Sequence, residues 1–380
     1  MPKVSLVKCS SYDPEEIHSA VKTSIDLLGG ISSFVKSGQK ILIKPNILAP
    51  FKAERAATTH PAVVEAVIRQ VLEAGANPCV GESPGVGKPE YAAQAAGILE
   101  VCKKYSVPFI GLNTQVEINN PEAGRFKRIY MAREVLEAEA IINIPKFKTH
   151  GLLAVTGAVK NLFGCVPGIT KSQYHYKVQR RAELGLLIMD IYRFLRDKVK
   201  LSIMDAVCAM EGEGPSAGAP YNLGLIGASG DAMALDEVFC RIVGQNPQAV
   251  PTLYPLGKIE IKGEPLEKLR VHDFKTVEFF PESAFHLPIP AGLFNRLVQE
   301  KPQVVENLCT RCKTCILVCA SGAITEKKNA VNINYDKCIR CLCCSEFCPE
   351  KAIRVRRNPL FLFFHKLLQK FSIPAARADH

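Results

Sequence analysis

Short apolar runs alternate with amphipathic stretches over the first 275 residues. The runs Val4–Val7, Lys40–Lys44, Pro78–Gly81, Pro108–Leu112, Ala140–Ile144, Leu201–Met204 and Leu223–Gly227 predict strands. Several are apolar at consecutive positions, as in a sheet covered on both faces. Between them, apolar residues recur at helical period over Pro14–Leu28, Pro61–Ala74, Tyr91–Tyr105, Ala132–Glu139, Arg181–Val199 and Asp231–Val243. Strand–helix alternation of this kind implies an α/β fold on a mostly parallel sheet. Pro281, Pro288, Pro290 and Gly292 then interrupt any regular element. The chain therefore divides into an α/β domain at 1–280, a linker at 281–303, a small α+β domain at 304–357 and an apolar, basic tail at 358–380.

The small domain is defined by its cysteines. Nine of the fifteen lie between Cys309 and Cys348, in two runs of one spacing. The first is Cys309-x-x-Cys312-x-x-Cys315-x-x-x-Cys319; the second is Cys338-x-x-Cys341-x-x-Cys344-x-x-x-Cys348-Pro349. This is the two-cluster ferredoxin spacing written twice, so the domain is predicted to be ferredoxin-like and to bind two [4Fe–4S] clusters. Three thiolates in a tight loop grip one cubane, and the fourth cysteine, expected to start a helix, reaches the other. Cluster I is thus assigned to Cys309, Cys312, Cys315 and Cys348, and cluster II to Cys338, Cys341, Cys344 and Cys319. Zinc is the alternative metal, and these triplets suit it less well than a cubane. Ala320 stands where a proline commonly follows the first run, and Cys343 is a ninth cysteine read as a bystander. The other six cysteines (Cys9, Cys79, Cys102, Cys165, Cys208, Cys240) are scattered singly and read as small buried hydrophobes.

Composition adds limits. No apolar run approaches the roughly 18–20 residues of a spanning helix, and the N-terminus has no secretory pattern, so a cytoplasmic, reducing setting is expected. Of the net charge of +11, residues 301–380 supply +8, from 14 basic and 6 acidic side chains. Eight thiolates around two cubanes would return about −4 of it. What remains suits an acidic electron donor of ferredoxin or flavodoxin type. Nucleic acid is not expected, because there is no aromatic-interleaved basic stripe and no tryptophan. The segment 359–371 is apolar with Lys366 and Lys370 at its edge, a pattern compatible with peripheral membrane contact.

In an open α/β sheet, ligands bind at the carboxyl ends of the strands. There the sequence places Lys44 and Asn46, then His60 opening a helix, then Glu82 and Ser83. Lys146, Lys148 and His150 follow at period two, and Asp205 and Asp236 come later. Thr156-Gly-Ala-Val-Lys160-Asn161 adds small residues that let a backbone approach an anion. Lys44, Asn46, Lys146, Lys148, Lys160 and Asn161 are expected to bind an anionic small molecule. Glu82, Asp205 and Asp236 are candidate catalytic groups or ligands of a divalent metal, and His60 and His150 candidate proton donors.

Lys44-Pro45-Asn46, Thr59-His60-Pro61, Gly81-Glu82-Ser83, Asn143-Ile-Pro-Lys146-Phe-Lys148-Thr-His150 and Thr156-Gly-Ala-Val-Lys160-Asn161 together resemble the bacterial and archaeal family filed as domain of unknown function 362. The resemblance covers residues 1 to about 240 and 304–357. It implies an iron–sulfur protein with a C-terminal two-cluster module, often from anaerobes. Two functional readings follow. One is an oxidoreductase that passes electrons from a ferredoxin-type donor to an anion in the α/β crevice. The other is an electron-transfer or cofactor-assembly protein whose α/β domain binds a protein partner or a metallocofactor.

Overall fold

A computed structural model of the chain describes residues 1–178, 180–278, 300–327 and 330–356. The predicted tail, including 359–371, and most of the predicted linker lie outside the described residues. In chain order the α/β domain has strands β1 (Lys3–Lys8), β2 (Lys40–Pro45), β3 (Asn77–Glu82), β4 (Phe109–Gly111), β5 (Gln115–Asn119), β6 (Arg128–Ala132), β7 (Ala140–Ile144), β8 (Lys146–His150), β9 (Ala154–Thr156), β10 (Val199–Glu211), β11 (Ala219–Ser229) and β12 (Glu260–Gly263). The small domain has β13 (Lys301–Val304), β14 (Ile324–Lys327), β15 (Ala330–Ile333) and β16 (Ile353–Arg356).

Ten strands form one sheet in the order β12-β1-β11-β10-β7-β2-β3-β4, with β8 on β10 and β9 on β8. Only β11 and β9 run against the rest, so the sheet is mostly parallel as expected. Alternation along the strands separates two cores. Ile41 and Ile43 face the helices Pro14–Asp26 and Pro61–Glu73, whereas Leu42 faces the side covered by Arg181–Leu195 and Ala232–Ile242. Each fully buried Ile or Leu contributes about 1.5–3 kcal/mol, so an apolar run such as Ala140–Ile144, buried throughout, has no solvent face to spare.

Helix starts follow their caps. Asp13 accepts from the N–H groups of Glu15 and Glu16, and the His60 imidazole accepts from Ala62 N–H ahead of Pro61. The stretch predicted as one helix over 91–105 is two, Pro89–Ala95 and Ile98–Lys104. Gly97, at φ +75°, turns the chain between them, and a Cβ there would sit 3.3 Å from Pro61. Residues 146–150 are enclosed as β8 rather than left at the rim. Asp205 lies mid-strand, because β10 extends well past Met204 and pairs its Asp205 with Lys146 of β8. The hairpin of β5 and β6 was not foreseen.

In the small domain β13 pairs with β16 and β14 with β15. Residues 301–303, assigned above to the linker, therefore belong to it. The single-turn helices Thr314–Leu317 and Cys343–Glu346 precede Cys319 and Cys348, so the fourth cysteine of each run follows a helix and does not start one. Of the six scattered cysteines, Cys9, Cys102, Cys165 and Cys240 are buried and Cys79 and Cys208 half-buried, and burial raises the pKa of every one. No helix among the described residues is long and apolar enough to cross a membrane.

Candidate functional site

The two cysteine runs fold alike. Arg311 and Lys313 in the first take positive φ (59° and 63°), and Arg340 and Leu342 do so at the same positions of the second (56° and 58°). These left-handed residues curl each loop so that its cysteines converge. Cys309, Cys312 and Cys315 line one small cavity together with Cys348 from the other half. The charges of Cys341 and Cys319 bear on Cys338, and those of Cys341, Cys338, Cys315 and Cys319 on Cys344, after burial as the main cause of their raised pKa values. The N–H of Ala323 donates to Cys319 Sγ and that of Ala352 to Cys348 Sγ, both at 3.2 Å. Such N–H···S bonds favour thiolate over thiol, which is what an iron–sulfur cluster requires of its ligands.

The surroundings of the two runs differ. Thr310, Arg311, Cys312 and Lys313 are exposed, while Leu342 and Cys343 are buried against the α/β domain. Polar contacts fix that seam. The Arg55 guanidinium donates to the carbonyls of Cys348 (3.1 Å) and Pro349 (2.6 Å). Ser216 Oγ donates to Glu346 O (2.6 Å), and Lys351 Nζ to Gly218 O (3.0 Å). The Phe347 ring lies where a Cβ on Gly85 would fall, 2.1 Å from it, so that position admits only glycine without displacing the ring.

Beneath the second run is a crevice of about 480 Å³ at the carboxyl ends of β2 and β3. The α/β domain supplies Asn46, Glu82, Ser83, Thr156, Lys160 and Asn161, and from the helix Gly168–Lys177 also Lys171 and His175. Cys343, Glu346 and Phe347 of the second run form its opposite wall, with Leu317 and Val318 of the first run at its edge. Glu82 is already neutralised: it pairs with Lys44 at 2.5 Å and accepts the N–H groups of Ile47 and Ser83. Lys171 donates to Ser83 O, and burial brings its pKa down to about 8. Burial also lowers Lys160, with Glu346 opposing the shift. Among the described residues the Lys160 ammonium has no hydrogen bond or ion pair. His175 is pushed down to about 4 by burial and is neutral near pH 7.

Other predicted site residues lie elsewhere. Lys146, His60 and Asp205 belong to a buried network that does not line the crevice. Tyr12 Oη donates to Asp205 Oδ1 (2.7 Å), Lys146 Nζ to Asp205 Oδ2 (3.0 Å), and His60 N–H to the same oxygen (2.8 Å). His60 stacks on Tyr12 at 3.7 Å and caps its helix through Nδ1, and burial lowers its pKa to about 4, so it has no proton to deliver to the crevice at neutral pH. Lys148 is enclosed and donates to Ala57 O; burial pushes its pKa far down. His150 sits at the seam, with Nδ1 accepting Leu152 N–H and Nε2 3.9 Å from Glu346. Asp236 spends both carboxylate oxygens on the N–H groups of Ala158 and Val159, which anchors the turn carrying Lys160 and Asn161. Glu82, Asp205 and Asp236 thus have three separate tasks and do not converge as the divalent-metal site expected from the sequence.

Sequence reasoning missed Lys171, His175, Glu346 and Tyr12, and did not place Cys343 in a crevice wall. Lys171 and His175 stand four apart on one helix, a spacing that puts them on one face. Nothing in the periodicity shows which face of the small domain meets the large one.

The chain is 35% identical over 251 residues to a thylakoid-associated protein of Synechocystis sp., covering 66% of this chain and 77% of that protein. Two solved structures are more distant. A Thermotoga maritima protein has a TM-score of 0.36 at 16% identity, covering 60% of this chain and 57% of its own. The lactate racemase apoprotein of Thermoanaerobacterium thermosaccharolyticum has 0.42 at 8%, covering 63% and 57%. The chain therefore spans little over half of either structure. Residues 301–349 match the 4Fe-4S dicluster domain, which makes this an iron–sulfur protein. With residues 41–241 matching the family described as Domain of unknown function (DUF362), the chain belongs to that family.

Proposed function

We propose that the protein is an oxidoreductase that takes electrons from a ferredoxin- or flavodoxin-type donor and delivers them to an anionic substrate in the crevice. Cys309, Cys312, Cys315 and Cys348 would hold one [4Fe–4S] cluster, and Cys338, Cys341, Cys344 and Cys319 the other. When bound, the clusters supply one-electron transfer between donor and substrate. The chain's own residues do the rest. Arg311 and Lys313 flank the exposed Cys312, with Lys313 paired to Glu326 at 2.7 Å, and make the rim of that loop a polar, charged surface for a donor protein. Lys160 and Lys171 attract and orient the anion, and Phe347 and Phe163 keep water from one side of it.

One observation carries this reading: the second cysteine run is itself a wall of the crevice that holds the two lysines. A fused electron module with no link to a ligand site would have no reason to bury Cys343 and Glu346 there.

The test is reoxidation of anaerobically reduced protein by the small-molecule fraction of a cell extract, followed by visible absorbance. Lys160→Gln and Lys171→Gln should slow it by roughly 10- to 150-fold each, the worth of a charge-assisted contact, with iron content unchanged. Reoxidation at the parent rate in both variants would favour the carrier reading.

A further inference from the structure

We propose that the crevice selects an organic acid that carries, on an apolar body, a hydroxyl or amino hydrogen-bond donor as well as its acid group. This rests on the reading of the crevice as the substrate site, and it comes from polar atoms there that have no partner in the protein.

Asn161 is the most informative. Its Nδ2 donates to Lys44 O (3.3 Å) and to Asn143 Oδ1 (2.8 Å), and both of those oxygens only accept. Asn143 is held in turn, because its own Nδ2 donates to Ala158 O (3.0 Å) and bonds Ser202 Oγ (3.2 Å). The amide of Asn161 therefore cannot turn round. Its Oδ1 is buried without a protein partner on a residue that lines the crevice. An amide oxygen accepts and never donates, so it repels a bare anion and needs an O–H or N–H from the ligand. Asn46 Oδ1, Ser83 Oγ and Thr156 Oγ1 are also buried, unpartnered and on lining residues. Buried polar groups are nearly always hydrogen-bonded, so four on residues of one crevice point to a site that a ligand completes.

The remaining walls define the rest of the molecule. Lys160 and Lys171 supply the charge for one acid group. Phe163, Phe347, Leu317 and Val318 give an apolar wall, and about 480 Å³ is the size of an organic ligand site, far more than an inorganic anion fills.

The experiment uses full-length, oxidised protein purified without oxygen, with no electron donor, and measures affinity for 4-hydroxyphenylacetate, phenylacetate and inorganic phosphate. The hydroxy acid should bind saturably and about 3- to 10-fold tighter than phenylacetate, the worth of one neutral hydrogen bond, and phosphate should not compete at equal concentration. Thr156→Val should weaken the hydroxy acid by a similar factor while leaving the Tm of ligand-free protein unchanged or higher, since it removes an unpartnered hydroxyl. Phosphate binding as tightly as the hydroxy acid, no binding by either organic acid, or a Thr156→Val variant with lower Tm and unaltered affinity would each overturn the proposal. Because no electrons move, the outcome is separate from the redox reading. Tight binding by a protein whose reduced form is not reoxidised would sink that reading and leave this one standing.

Discussion

The two cysteine runs share spacing, left-handed turns and N–H···S bonds, yet the first keeps its Cys312 loop in water and lends the crevice only Leu317 and Val318, whereas the second is buried over it through Cys343 and Glu346. At matching positions the first has Lys313, Thr314, Leu317 and Val318, and the second Leu342, Cys343, Glu346 and Phe347. Leu317 is 79% exposed, whereas Glu346 is 8% exposed at the domain seam. Residues that wrap a cluster are thus repeated, and residues that decide what a cluster meets are not. On the proposed function, electrons would enter at the first run and be used at the second.

The comparison is broken most severely by removing a crossed ligand. Cys348→Ala should lose the cluster of the first run and Cys319→Ala that of the second, each leaving about four of about eight irons by metal analysis. Loss confined to the mutated run's own cluster would reverse the assignment.

The buried network and the crevice should separate next. Lys146→Ala removes the ion-pair partner of buried Asp205, which keeps only the Tyr12 hydroxyl and the His60 N–H, and should cost about 3–5 kcal/mol in denaturant unfolding. Lys160→Gln should leave stability close to the parent value and act on binding. An equally stable Lys146→Ala variant would show that its ion pair does not hold β8 to β10.

A smaller effect concerns pH. Lys171 titrates near 8 because burial disfavours its charge, so it is charged below that pH and neutral above. Affinity for an organic acid should fall as pH rises through 8, and Lys171→Arg, which stays charged, should abolish that fall. The smallest effect is expected of Cys343→Ser, which should leave iron content unchanged; a loss of iron would make Cys343 a ligand.

Much of this was legible in the chain, but unevenly. Ala140–Ile144 reads as a doubly covered strand, and it is one. Pro61 after His60 marks a helix start, and the cysteine spacing points to the clusters directly. The failures at the site have one cause, contacts between residues far apart in sequence. Lys146, Lys148 and His150 alternate as a rim would, yet Asp205, 59 residues on, draws Lys146 into the interior. Asp236 reads as a free carboxylate until the turn at Ala158 takes both its oxygens. Val116 and Ile118 of β5 alternate with polar neighbours, a strand signal that was present and passed over. Glu346 joined the crevice only through the docking of the small domain.

The division between the runs is tested most directly by relaxation of the reduced clusters with a soluble paramagnetic ion complex, read by EPR. Cys319→Ala keeps the cluster of the exposed run, and Cys348→Ala keeps that of the covered one. The account predicts strong relaxation enhancement in Cys319→Ala and weak enhancement in Cys348→Ala. Equal enhancement, or the reverse order, would contradict it.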